Sequence, residues 1–121
     1  MKIVFLYYLF LIFQWDLTNV KSMIAIFSGC KSLISLPDIS KWNIKNIKSI
    51  HSFFNNCSSL LSLSDISKWN IENIEDMHCL FYKCKSLISL PDISIWNTKN
   101  LSDIGEIFSG CESLTSLPDI S

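Results

Sequence analysis

The feature that most constrains this chain is a repeat with a period of 27 residues. The tryptophans show the interval, at Trp15, Trp42, Trp69 and Trp96. Phenylalanine, cysteine, leucine and aspartate columns keep the same interval, at Phe27, Phe54, Phe81 and Phe108; Cys30, Cys57, Cys84 and Cys111; Leu33, Leu60, Leu87 and Leu114; and Asp38, Asp65, Asp92 and Asp119. Residues 15–121 therefore divide into four copies, 15–41, 42–68, 69–95 and 96–121. So short a unit cannot bury its apolar side chains alone, and it buries them by stacking on its neighbours.

The first half of each copy has the apolar spacing of a helix. In the second copy Ile47, Ile50 and Phe54 lie three or four residues apart, which is the spacing of one helical face. An asparagine suited to an N-cap stands where such a helix would begin, at Asn19, Asn46, Asn73 and Asn100. Gly29 and Gly110 stand where it would end. This pattern predicts one helix per copy.

The second half of each copy is short, apolar at intervals and bounded by turn residues, which is typical of a strand. Three of the four copies carry a proline there, which limits the length of a regular strand: Pro37, Pro91 and Pro118. The sequence therefore predicts an α/β repeat, a leucine-rich-repeat-like right-handed solenoid with one short strand and one helix per 27-residue turn.

The pattern Leu-x-x-Leu-Pro-Asp-Ile-Ser-x-Trp-Asn-x-x-Asn-Ile, followed by Phe-x-x-Cys-x-Ser-Leu, resembles the repeats of BspA-like leucine-rich repeat surface proteins. It is more closely similar to a mycoplasma-type surface-protein repeat family of unknown function, whose repeat is one residue shorter. The resemblance covers residues 15–121, and the extra residue here lies between Leu36 and Ile39. The resemblance implies attachment or protein contact at a cell surface or in a secreted protein, while a cytoplasmic location stays open. It implies no catalytic residues.

Residues 1–14 leave two interpretations open. Lys2 and the apolar run from Ile3 to Phe13 fit the start and core of a signal peptide. The run is too short to span a bilayer, which takes about 20 residues, so membrane attachment requires a retained signal. Alternatively the run is the degenerate second half of a preceding repeat, because three apolar residues stand one period before repeat columns: Leu6, Leu9 and Ile12. At the other end the chain stops within a strand half, which is typical of a fragment.

Composition narrows the classes of function. A chain of 121 residues with 49% hydrophobic and 17% charged residues is one folded domain. The net charge is −1 and there is no arginine, so no basic surface is available for nucleic acid. The three glycines form no phosphate-binding motif, and no serine lies in a nucleophile motif. We therefore expect neither an enzyme nor a cofactor.

Three sets of potential ligand residues have simpler structural interpretations. The cysteine column is expected to pack in the core as free thiols, with Cys79 unpaired. His51 and His78 lie one repeat apart beside Cys79, but they lack the spacing of a zinc site and are expected to stack half-exposed. Each aspartate of the column is expected to close a local turn, because calcium needs six or more oxygen ligands.

The outward positions of the strand half predict a broad, shallow binding surface for a protein or polymer. These positions are mainly small or polar, with two lysines just beyond: Ser35, Ser62, Ser89, Ser116, Pro37, Ser64, Pro91, Lys41 and Lys68. The leading hypothesis is a non-catalytic protein-interaction solenoid, part of a longer surface protein. The alternative is a secreted or membrane-tethered adhesin that binds carbohydrate or matrix. The exposed last copy also predicts self-association through the uncapped end.

Overall fold

The structure is a computed structural model that describes residues 16–120. Residues 1–15 and Ser121 lie outside the described part of the chain. Both interpretations of residues 1–14 concern this undescribed segment, as does the first tryptophan, Trp15. The four copies are therefore described from Asp16 to Ile120.

The first halves of the copies lie side by side in parallel register. Parallel bridges join residues one period apart, Ser22 to Ser49, Ser49 to Asp76 and Asp76 to Asp103. Four amides of the first copy donate to carbonyls of the second at 2.8–3.0 Å: Met23 to Ser49, Ala25 to His51, Phe27 to Phe53 and Gly29 to Asn55. The same four bonds recur between the second and third copies and between the third and fourth. We call these bonds the amide ladder; each of its amides points toward the following copy.

Successive β-turns carry the chain through the amide ladder. In the second copy the amides of Phe53, Asn55 and Cys57 donate to carbonyls three residues earlier at 3.1–3.2 Å. Two positions per copy have a positive φ, between 54° and 78°: Ala25, Ser52, Cys79 and Glu106 at the first, and Gly29, Asn56, Lys83 and Gly110 at the second. Glycine adopts this conformation at little cost, whereas other residues are strained by it.

The second half of each copy is irregular. Two 3₁₀ helices lie there, Ile66–Lys68 in the second copy and Ile93–Ile95 in the third. Asp65 and Asp92 cap them by accepting from the amide two residues further on. No helix in the described part of the chain is long and apolar enough to cross a membrane.

The predicted α/β solenoid, with one strand and one helix in each turn, is wrong. Residues 16–120 contain no α-helix and no strand. The apolar residues assigned to a helix follow one another every third residue, as Ile44, Ile47, Ile50 and Phe53 do, and this spacing suits consecutive turns. A positive φ at Ser52 is also incompatible with a right-handed helix. Bonds to neighbouring copies satisfy the backbone groups that a helix would pair internally.

The predicted strand fails for a different reason. Pro37 and Pro91 have no amide to donate to a neighbouring strand. The aspartate that follows each of them turns the chain by binding the next amide but one, as Asp38 does with Ser40 at 2.9 Å. Only single backbone bonds therefore join the copies along this half, such as Leu61 to Ile34 at 3.0 Å.

The core consists of side-chain columns that run through the stack. The rings of Phe27, Phe54, Phe81 and Phe108 are stacked at centroid distances of 5.7–5.9 Å. The inner members Phe54 and Phe81 are fully buried, while Phe108 in the last copy is half-buried. Core side chains are therefore best covered in the inner copies.

Polar side chains also bond from copy to copy. The indole Nε1 atoms of Trp69 and Trp96 donate to the carbonyls of Ile39 and Ile66 at 2.8 and 3.1 Å. The asparagine expected to cap a helix instead donates its amide to a carbonyl of the preceding copy at 2.5–3.2 Å, in Asn46, Asn73 and Asn100. The N-cap prediction is therefore wrong, and this asparagine joins neighbouring copies.

Candidate interaction surface

Three exposed apolar side chains form one column along the second halves of the copies. This apolar column consists of Ile34, Leu61 and Ile88, whose exposed fractions are 57%, 44% and 53%. The Leu61 amide donates to the Ile34 carbonyl at 3.0 Å, and the Ile88 amide donates to the Leu61 carbonyl at 3.2 Å. Single exposed apolar residues are common on protein surfaces, but a contiguous strip of them is typical of a contact site.

Some of the predicted binding residues lie beside the apolar column. The four serines Ser35, Ser62, Ser89 and Ser116 are exposed. Ser62, Ser89 and Pro91 line a shallow groove of about 450 Å³. Ser89, Pro91 and Ser116 line a second groove of about 220 Å³, to which Ile88 also contributes. The structure therefore brings the serines of the later copies and Pro91 to one surface.

The other predicted binding residues lie elsewhere or have a structural contact. Ser64 is half-buried, and its hydroxyl accepts from the amide of Ile39 in the preceding copy at 3.2 Å. Pro37 is half-buried. Lys41 lines a separate groove of about 520 Å³ near the first copy. Lys68 is exposed at the end of the first 3₁₀ helix. The two lysines are therefore not part of the grooves beside the apolar column.

The aspartate column closes turns, as its sequence suggests. Asp38 accepts from the Ser40 amide, and its hydrogen bonds with the hydroxyl and amide of Ser40 lower its pKa. Asp65 and Asp92 accept from both the amide and the hydroxyl of the serine two residues further on. Each carboxylate is thus occupied within its own copy, which leaves the column without the set of free oxygens that calcium requires.

A second group of side chains lies on the amide ladder, where two histidines pair with two aspartates. The His51 Nδ1 lies 3.5 Å from an oxygen of Asp76, and the His78 Nδ1 lies 3.2 Å from an oxygen of Asp103. The two imidazoles are stacked with centroids 5.2 Å apart. Hydrogen bonds with the Gly105 amide and then with His78 lower the pKa of Asp103. The carboxylates thus orient the rings in the half-exposed stack that the sequence predicts.

This group lacks a nucleophile or a metal site. Burial and the negative charges of Glu106, Asp103 and Asp76 raise the pKa of the Cys79 thiol, whereas a nucleophilic cysteine needs a lowered one. Residues 16–120 contain no cluster of three or more histidine, cysteine or acidic side chains able to hold a metal ion.

The repeated cysteines lie in the core as free thiols. Their sulfur atoms lie 3.0–3.1 Å from carbonyls of the preceding copy, Cys57 from Phe27, Cys84 from Phe54 and Cys111 from Phe81. Burial raises the pKa of Cys57 to about 12 and also raises that of Cys84. These thiols are therefore protonated core groups.

Sequence reasoning missed the apolar column. Its members directly follow the buried leucines Leu33, Leu60 and Leu87, and were read as part of one apolar run. A signal was present, because the position after the leucine is isoleucine or leucine in three copies and threonine, Thr115, in the fourth. An apolar residue at a position that alternates away from the core would have indicated an exposed strip.

The fold and its surfaces define a class, a protein of stacked short repeats whose exposed sides, and not an enclosed cavity, are available for binding. Comparison with known proteins adds the family. Residues 9–120 match the family model described as "Mycoplasma protein of unknown function, DUF285", and the chain belongs to that family. No curated protein and no solved structure matches the chain significantly. The expected membership of a mycoplasma repeat family is confirmed, while the likeness to BspA-like repeats rests on the sequence motifs alone.

Proposed function

We propose that this chain is a non-catalytic interaction protein whose apolar column and adjacent grooves contact a protein partner. The observation that supports the proposal is the apolar column itself, in which Ile34, Leu61 and Ile88 are each about half exposed. Full burial of such a side chain contributes about 1.5–3 kcal/mol, so covering the exposed half contributes about 1 kcal/mol per residue. A partner that covers the column gains this contribution from several copies at once.

The lining of the grooves favours a protein over a small molecule. Serine, leucine, proline and aspartate side chains line the two grooves beside the column, and neither groove contains an aromatic side chain. Both are shallow, whereas small-molecule sites enclose most of their ligand. The location of this contact at a cell surface is part of the proposal and follows from the resemblance to mycoplasma-type surface repeats.

The absence of catalysis in this proposal rests on the histidine group. His51 and His78 face carboxylates, and the neighbouring Cys79 thiol has a raised pKa. An aspartate–histidine pair needs a nucleophile or a metal-bound water to perform hydrolysis. The pairs therefore serve the contact between copies.

The experiment compares two matched surface variants in a pull-down with cross-linking, using the immobilised chain and an extract of the source organism. Ile88→Asp is combined with Leu61→Asp to make the apolar column polar. Ile24→Asp is the control, because Ile24 is exposed to the same 53% on the other half of the copy. We expect the double variant to lose the cross-linked partner and the control to keep it, with unchanged circular dichroism in both. Loss in the control alone would place the binding face on the amide ladder and refute the proposal.

A further inference from the structure

The amide ladder gives the stack two unlike ends. Every amide in it donates toward the following copy, and every carbonyl accepts from the preceding copy. In the last copy, four amides at the ladder positions donate to no carbonyl or side chain within residues 16–120: those of Ile104, Glu106, Phe108 and Gly110. In the first copy, four carbonyls accept no bond from that same span: those of Ser22, Ile24, Ile26 and Ser28. One end of the stack thus presents donors and the other presents acceptors.

Both edges are open to solvent along their backbone. Ile24 and Ile104 are exposed at 53% and 43%, and Gly29 and Gly110 are exposed as well. Exposed backbone groups in a regular row are a template for pairing with another chain. The peptide groups of the ladder are also aligned, so their dipoles add along the stack, as they do in a helix.

The polarity of the two edges decides which ends can meet. Two donor edges cannot bond to each other, and two acceptor edges cannot either, so a symmetric dimer through like ends gains no backbone bonds. A donor edge fits an acceptor edge, and the spacing matches because both belong to the same repeat. Inside the chain the ladder places Asp103 opposite Asp76. Continuing that register places Ser22 of a second molecule opposite Asp103.

We propose that this chain assembles head to tail, with the last copy of one molecule donating its four ladder amides to the first copy of the next. The joint uses the ladder edges alone. Met23 and Phe27 of the first copy are already 98% buried, each being 2% exposed, so they offer no apolar face to the incoming molecule. A contact between unlike surfaces leaves one open edge at each end of the assembly. The assembly is therefore an open series that grows with concentration, and it leaves the apolar column uncovered.

The first experiment measures the weight-average mass of the full chain by sedimentation over a wide concentration range. We expect the mass to rise beyond that of a dimer without a plateau. Ile104→Pro removes one donor of the open edge and is expected to weaken association about tenfold, the upper range for one hydrogen bond. Ser116→Pro is the control, because the Ser116 amide donates to no group within residues 16–120. A monomer at every concentration, or equal weakening by both prolines, would overturn the proposal.

The second experiment tests orientation and does not depend on the fold tolerating a proline. Ser22→Cys and Asp103→Cys are prepared on separate molecules with different affinity tags, and parent protein gives the background from the native cysteines. Paired positions on neighbouring strands lie within the distance of about 7 Å that a disulfide spans. We expect oxidation to link Ser22→Cys to Asp103→Cys and not either variant to itself. Links between like variants, or none above background, would refute head-to-tail assembly, while the contact of the apolar column with a partner would be unaffected.

Discussion

Replacing Phe81 by alanine tests whether the phenylalanine column carries the stability of the stack. Phe81 is fully buried, and its ring lies 5.7 Å from Phe54 on one side and 5.9 Å from Phe108 on the other. Removing a buried phenylalanine ring costs about 3–5 kcal/mol, from lost burial and from the cavity that remains. A domain of this size has about 5–15 kcal/mol of total stability, so the variant should unfold at a much lower denaturant concentration.

The assay is urea unfolding followed by tryptophan fluorescence and circular dichroism. Phe108→Ala provides a matched control, since it removes the same ring from the same column at the half-buried end of the stack. We expect the control to lose about half as much free energy of unfolding, in proportion to its burial. Equal losses in the two variants, or a Phe81→Ala midpoint unchanged within error, would show that the copies do not stack with the rings inside.

Three further measurements test other parts of the fold. Trp69→Phe should lower the free energy of unfolding by about 1–3 kcal/mol, because the Ile39 carbonyl loses its indole donor. Trp42→Phe should cost less, since the Trp42 Nε1 has no partner within residues 16–120, and the reverse order would contradict the indole bond. Lys83→Gly should raise the melting temperature by relieving about 1 kcal/mol of strain at φ 56°; a lower melting temperature would argue against a left-handed residue there. Cys57 has its pKa raised from 9.0 to about 12, so the unfolded chain loses the thiol proton first and stability should fall as pH rises between those values. Urea midpoints on either side of pH 9 check this fall, and an equally steep fall in Cys57→Ala would assign it to other groups.

The stacking of the repeats could be predicted from the sequence, but the backbone path could not. Columns such as Phe54 and Phe81 identify which residues face the core, because the same residue returns at the same place in every copy. The turns of the aspartate column were also predictable, since aspartate followed by serine two residues later suits a local side-chain turn. These inferences depend on chemistry within one copy or on the period itself.

The helix and strand predictions failed because apolar spacing is ambiguous at short range. Ile47, Ile50 and Phe54 fit a helical face over two turns, yet Ile44, Ile47, Ile50 and Phe53 fit a three-residue spacing equally well. The deciding factor is where the backbone groups bond, and the bonds to the next copy lie 26 residues away in sequence, as from Phe27 to Phe53. The exposed side of the second half was missed for the same reason, because the register that exposes Leu61 and buries Leu60 follows from the stack.

The separation in sequence of the bonded residues also has a consequence for how fast the chain folds. The ladder bonds join residues such as Ala25 and His51, about a fifth of the chain length apart. Proteins dominated by contacts at that relative separation fold in milliseconds to seconds, well behind helical bundles. The slow event is the first pairing of two copies, because it closes a loop before any ladder bond is gained. Every later copy closes a loop of the same length onto an existing edge, so folding spreads copy by copy, and the amides of the fourth copy should exchange with solvent ahead of those in the second.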